Sequence, residues 1–250
     1  MNSKLLVRVK ASILRRVGSS LDRGHNWEKL SFQYADDNLQ KYLYEFIVKL
    51  FPIFIKTENK LLISRSRNVD QARDSASLLG NHYRLLFSLA KLVNAKKVVE
   101  IGTYTGMSAI TFLDAQCEVT SFDISSPFQF KDCVISDEDL QGGKLNLIID
   151  NIYEDKIFDK YVQIFLDADI IFLDGPKFGG FEQKVLPKIL NLNFKKNTIV
   201  VVDDINMKYM KILWYELTCP RLDLTILGHL SGSGVLFPYL RYLNVPSDNN

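Results

Sequence analysis

The sequence predicts an α/β fold: a doubly wound, mostly parallel seven-stranded sheet that ends in an antiparallel hairpin and follows an N-terminal helical extension. Three observations predict it. From Lys97 onward, short runs rich in β-branched and aromatic residues alternate with helix-compatible stretches, and most of the runs end in an acid. The first run, Val98-Val99-Glu100-Ile101, passes through a turn bracketed by Gly102 and Gly106 into Met107-Ser108-Ala109-Ile110, a strand-turn-helix crossing. Beyond Pro220 the alternation stops, and two apolar runs flank a glycine-rich loop.

Residues 1–72 are helical and irregular in pattern, without strand alternation; they form the extension, expected to act as a lid, ahead of a domain over 73–244 and a flexible tail over 245–250. Within the extension Leu5, Leu6, Val9, Ile13, Leu14 and Val17 are interleaved with Lys4, Arg8, Lys10, Arg15 and Arg16, a basic amphipathic helix. Two readings stay open for residues 1–23: peripheral contact with an anionic membrane, or packing on the chain's own domain or on a homodimer mate, which is the commoner use. A second helix spans 38–51, stopped by Pro52. Leu79, Tyr83, Leu86, Leu89 and Val93 recur at helical spacing, so a third helix precedes the sheet. Strands follow at 97–101, 118–123, 145–150, 169–174 and 198–203, with helices around 107–115, 154–166, 181–190 and 207–217 between or after them. Such alternation requires parallel strands joined by right-handed crossovers. Residues 222–227 and 235–240 then pair across a seven-residue loop, 228–234.

Composition narrows the function classes. At 250 residues and 47% hydrophobic, the chain can bury a full α/β core. A net charge of +2 is too balanced to signal nucleic acid. Cys117, Cys133 and Cys219 are odd in number, widely spaced and close to apolar stretches, which suits buried thiols in a reducing, cytoplasmic compartment. Arg8 and Lys10 break the first apolar run, so no secretory signal is expected; 42–55, with Glu45, Lys49 and Pro52, is too short to span a bilayer.

Parallel strands point the same way, so Glu100, Asp123, Asp150, Asp174 and Asp203 are expected on one rim, where open α/β sheets bind ligands. Each alone is as readily a helix cap. Gly102 and Gly106 let backbone approach a ligand, and Ser108 offers a hydroxyl at a helix start. Tyr104 crowds the place where a pyrophosphate presses, which favours a ligand without phosphates.

Residues Glu100 to Ser108 resemble the first motif of the class I S-adenosylmethionine-dependent methyltransferases, in the EIGxYTGxS form of O-methyltransferases of the catechol and caffeoyl-CoA type. The resemblance covers roughly residues 79–240 and implies a Rossmann-like fold with S-adenosylmethionine as cofactor. It implies that Glu100 and the Gly102-Thr103-Tyr104-Thr105-Gly106 turn, with Ser108, hold the methionine portion, that Asp123 accepts from the ribose hydroxyls, and that Asp150 lies by the adenine; Asp174 is expected to border the same ligand.

Phe172-Leu173-Asp174-Gly175-Pro176-Lys177, with Val201-Val202-Asp203-Asp204-Ile205, resembles the metal-dependent members of that group. The resemblance implies Mg²⁺ or another divalent cation on Asp174, Asp203 and Asp204, the last standing where the family usually has Asn, and Lys177 as base. Hard oxygen ligands suit Mg²⁺. Asp204 also reads as the N-cap of the next helix, and Lys177 as an exposed loop lysine. His229, on the loop of the hairpin, is a second catalytic candidate.

Together these imply methyl transfer to a hydroxyl of a small molecule or glycan, with metal assistance. The same fold methylating nitrogen or RNA is the alternative, opposed by the near-neutral charge and by Asp174-Gly175-Pro176-Lys177 where an Asn/Asp-Pro-Pro-Tyr/Phe motif is required. A nicotinamide-dependent oxidoreductase is opposed by Tyr104. A non-catalytic membrane-surface module would rest on the basic helix alone.

Overall fold

A computed structural model describes residues 37–58, 64, 81–177, 180–194 and 197–242. The basic helix of residues 1–23, the tail and most of the extension lie outside the described residues. The chain divides into two compact units, 1–42 and 43–250. The sheet belongs to the second, and helix α1, Asp37–Lys56, begins in the first.

Helix α1 places Leu43, Phe46, Leu50 and Phe54 on a buried face. It runs through Pro52, where the sequence predicts a stop. Pro52 stands on the exposed face, so water can meet the carbonyl its missing N–H leaves unpaired, while Leu50 and Phe54 keep the buried face continuous. Helix α2, His82–Leu92, leads to β1, Lys97–Ile101. Then come α3 (Met107–Asp114), β2 (Glu118–Asp123), α4 (Asp137–Gln141), β3 (Leu145–Ile149), α5 (Asp155–Lys160), α6 (Val162–Asp167), β4 (Ile170–Leu173), α7 (Gly180–Leu190), β5 (Ile199–Asp203), α8 (Lys208–Glu216), β6 (Arg221–Asp223) and β7 (Ser233–Leu236).

The strands form one seven-stranded sheet in the order β3-β2-β1-β4-β5-β7-β6. β1 to β5 are parallel, and β7 enters antiparallel between β5 and β6. The fold is therefore the predicted Rossmann-like, doubly wound sheet. Its order reverses between β1 and β4, the switch point where such sheets open a crevice. Alternate strand residues serve opposite faces. Val99, Ile101, Ile171, Leu173, Val200 and Val202 pack with Phe165, Val185, Leu186, Ile189 and Trp214 in one core. On the other face Phe112 of α3 lies edge-on to Phe172, ring centroids 6.0 Å apart.

Three predicted elements differ in detail. The single helix expected over 154–166 is two, because Tyr161 leaves helical geometry (φ −106°, ψ 7°); its ring packs on Phe122 and its hydroxyl donates to Asp150 at 3.1 Å. The hairpin strands are shorter than 222–227 and 235–240. The first ends at Asp223, whose Oδ1 accepts the Thr225 N–H at 2.9 Å, and the carbonyl of Leu224 then turns the chain by accepting from Leu227 and Gly228. The second begins already at Ser233 and ends before Pro238. Residues 224–232 therefore form the tip, two residues longer than the expected loop. Cys117 and Cys219 are buried, Cys133 is half-buried, and all are thiols. Among the described residues no helix is long and apolar enough to cross a membrane.

Candidate active site

The turn after β1 is built by a glycine that nothing else can replace. Gly102 has φ +100°, and a Cβ there would overlap the carbonyl oxygen of Asp174. This close approach joins the ends of β1 and β4 across the switch point. Thr103 and Tyr104 then point their N–H groups at Asp123 Oδ2, at 2.8 and 3.0 Å, so the last residue of β2 fastens the turn from beneath. Asp123 Oδ1 accepts from the Ser125 N–H at 3.1 Å. Ser121 links the Thr103 hydroxyl, 2.6 Å away, to Glu100.

Glu100 is fully buried, and its Oε1 has no partner among the described residues. Burial pushes its carboxyl up to about 8, against hydrogen bonds from Ser108 and Ser121, with Asp174 and Asp123 adding to the rise. It stands inside β1 and is not part of the cavity wall, and the hydrogen bond from Ser121 ties β1 to β2.

In front of the turn lies a cavity of about 560 Å³, within the roughly 300–1,000 Å³ usual for small-molecule sites. Gly102, Thr103, Tyr104, Thr105, Ser108, Asp123, Asp150 and Asp174 all line it, so eight of the ten sequence-predicted cofactor residues meet there; Gly106 and Glu100 are not part of the wall. Gly106, at φ +86°, turns the chain into α3. Asp150 lies low in its pKa: burial works to raise it and is outweighed by the Tyr161 and Lys160 hydrogen bonds. Tyr104 projects outward, 61% exposed, and rests on Phe130. The cavity wall also includes Tyr83, Ile124, Asn151, Tyr153 and Phe181, which the sequence reading missed. Ile124 directly follows β2, and Asn151 and Tyr153 lie on the segment just after β3, positions that alone could have marked them. Tyr83, on α2, carried no such signal.

Across β4 the rim becomes ionic. Oxygens of Asp174, Asp203 and Asp204 lie within 4.8 Å of one another. Lys177 Nζ donates to Asp174 Oδ1 at 2.7 Å and stands 3.7 Å from Asp204 Oδ2. Burial works to lower its pKa, but Asp174, Asp203 and Asp204 hold it above the usual lysine range, so Lys177 is an ammonium. Asp174 itself is held up by burial, with Lys177 opposing. Both Lys177 (φ +59°) and Asp204 (φ +58°) adopt left-handed backbone, which costs on the order of 1–2 kcal/mol for a residue with a Cβ.

Beside them Asp203 Oδ1 lies 2.7 Å from His229 Nε2, and His229 Nδ1 lies 2.5 Å from the Ser231 hydroxyl. Asp203 is pulled below the usual carboxylate range: burial opposes the shift, and the two histidines and Lys177 outweigh it. Burial works to lower His229, and the hydrogen bond to Asp203 raises it. His82, buried under both, is lowered by burial and packs edge-on to His229, centroids 4.7 Å apart. The structure thus brings together every acid and base singled out at this rim, and adds His82 and Ser231, which the sequence reading passed over.

The donor sets fit the two expected ligands differently. The nucleoside side offers a cavity of suitable size walled by carboxylates, and it fits a nucleoside such as S-adenosylmethionine. The acid cluster has hard oxygens but also encloses a cationic side chain of its own.

No family model matches the chain, and no curated protein matches it. Among solved structures it is similar to a methyltransferase from Geobacter sulfurreducens, at 15% identity over 81% of this chain and 97% of that one, TM-score 0.48. It is similar to an O-methyltransferase of Streptomyces achromogenes involved in tomaymycin synthesis, in complex with SAM, at 17% identity over 72% and 91%, TM-score 0.44. A third likeness is to a Podospora anserina methyltransferase bound to SAH, at 14% identity over 95% and 97%, TM-score 0.46. What this chain folds into is fixed by its own strand order and register.

Proposed function

We propose that the chain is an S-adenosylmethionine-dependent methyltransferase acting on a hydroxyl of a small molecule or glycan. One observation carries the reading: the crevice at the switch point is lined by three carboxylates, Asp123, Asp150 and Asp174, and by no lysine or arginine among the described residues. A dinucleotide brings a pyrophosphate, which seeks N–H groups and cations, and a wall of acids without a cation in its lining gives it little to bind. A nucleoside with hydroxyls to donate and a positive centre is what such a wall attracts. When bound, S-adenosylmethionine supplies an electrophilic methyl group on a sulfonium.

The residues of the chain divide the remaining work. Asp123 can meet vicinal hydroxyls through Oδ1, exchanging the long 3.3 Å bond from the Ser125 hydroxyl for one from the ligand while Oδ2 keeps Thr103 and Tyr104. Ile124 and Tyr153 present exposed apolar faces to a flat base. We assign the His229 proton to Nε2, donated to Asp203, which leaves the single lone pair of Nδ1 to accept from Ser231 and, when Ser231 gives way, to take the proton of the incoming hydroxyl. Asp203 then stabilises the imidazolium, as in triads where a carboxylate backs a histidine. Lys177, as an ammonium, has no lone pair with which to take a proton. Its part is to present positive charge to the acceptor oxygen, and the role of base passes to His229.

Calorimetric titration of the folded chain with S-adenosylmethionine, S-adenosylhomocysteine and NAD tests this. Both sulfur nucleosides bind and NAD does not. If neither sulfur nucleoside binds, the reading is wrong; if NAD alone binds, the oxidoreductase takes its place.

A further inference from the structure

The carboxylates at the ends of β4 and β5 already enclose a cation, and that cation belongs to the chain. Lys177 Nζ lies 2.7 Å from Asp174 and 3.7 Å from Asp204, on a side chain only 9% exposed. Asp203 is occupied from the other side, with Oδ1 at 2.7 Å from His229, 3.4 Å from Ser233 Oγ and 3.5 Å from His82.

The lysine is also placed by its backbone. Its left-handed φ of +59° turns the side chain back toward Asp174, and its N–H donates to Oε1 of the fully buried Glu182 at 3.0 Å. A divalent cation on the same oxygens would face this ammonium at close range in a poorly solvated site, where like charges repel most. Making room would mean expelling a buried side chain and undoing the turn that Glu182 holds.

We infer that Lys177 is the resident counterion of the Asp174, Asp203 and Asp204 cluster, which therefore takes no divalent metal. A fixed ammonium can draw an acceptor oxygen to the rim, but it has no exchangeable ligand positions with which to chelate a substrate. The inference does not require methyl transfer, and metal affinity is read on the chain without cofactor, so the two can fail separately.

Titration of chelator-treated protein with Mn²⁺, followed by electron paramagnetic resonance of the free ion, decides it. Wild type shows no saturable site up to about 1 mM Mn²⁺, whereas Lys177→Met, which removes the charge and keeps the stem, gains affinity by about tenfold or more. The thermal midpoint of Lys177→Met then rises with Mn²⁺ and that of wild type does not. A wild-type site that binds one Mn²⁺ and is lost in Asp204→Ala overturns the inference. Should Lys177→Met fail to fold, wild type and Asp204→Ala decide between the two outcomes on their own.

Discussion

The two halves of the rim use acids in opposite ways. On the β1–β2 side, Asp123 spends its oxygens on backbone N–H groups of the turn, and Glu100 is fully buried with one oxygen unpaired among the described residues. Backbone donors cannot move without unfolding the turn, so this half is a rigid mould for a ligand. On the β4–β5 side, Asp174, Asp203 and Asp204 face side chains instead: Lys177, His229, His82 and Ser233. Side chains can exchange partners and protons. The first half is suited to holding a cofactor, the second to receiving an acceptor and moving its proton.

The largest effect expected from this contrast lies in Glu100. In the fold its carboxyl titrates at about 8, against 4.5 ordinarily. A raised carboxyl pKa means that the protonated form suits the fold. Its contribution is complete below the unfolded value, erodes above it, and is gone once pH passes the folded value. Glu100→Gln keeps the shape and removes the titration. Relative to wild type, the variant should gain stability by up to about 5 kcal/mol between roughly pH 4 and 9. Urea unfolding at both ends measures it. A difference that does not change with pH means that Glu100 is already ionised, and that the first half holds its charge in the open as the second does.

Next in size is the separation of binding from chemistry. Asp123→Ala removes the anchor of two N–H groups as well as the acceptor for hydroxyls, and should weaken S-adenosylmethionine by about 100-fold. His229→Ala should leave that affinity within about twofold, since it touches the other half. Calorimetry of both variants checks this. Equal losses would show that the halves act as one site.

How far the sequence foretold the contrast follows from the same physics. The rigid half is legible because backbone rules govern it: Gly102 marks a close backbone approach, read as toward a ligand and found toward the Asp174 carbonyl, and an acid ending a parallel strand reaches the rim. Periodicity likewise marked the strands of the sheet. Pro52 misled because helix-breaking depends on which face a proline occupies, and that is known only once packing is. The ionic half was legible as a list of residues but not as roles. The resemblance implies a base at Lys177 without telling that Asp174 and Asp204 surround its ammonium, and nothing local announces that His82, more than a hundred residues away along the chain, lies 3.5 Å from Asp203. Long-range charge contacts leave no local period.

The smallest expected effect asks whether the strained backbone of the second half is bound to its charges. Gln116 and Asp204 both have left-handed φ, +70° and +58°. Gln116 is the exposed residue after the C-cap of α3, where glycine is the usual choice, so Gln116→Gly should add about 1 kcal/mol of stability. Asp204→Gly relieves the same strain but releases Lys177, and should gain less. The discriminating measurement is the cycle: in a Lys177→Met background Asp204 has no ammonium to hold, and Asp204→Gly should then stabilise by about as much as Gln116→Gly does. If Asp204→Gly gives the same gain in both backgrounds, the strain at Asp204 is unconnected with the ion pair, and the second half is held by its turns rather than by its charges.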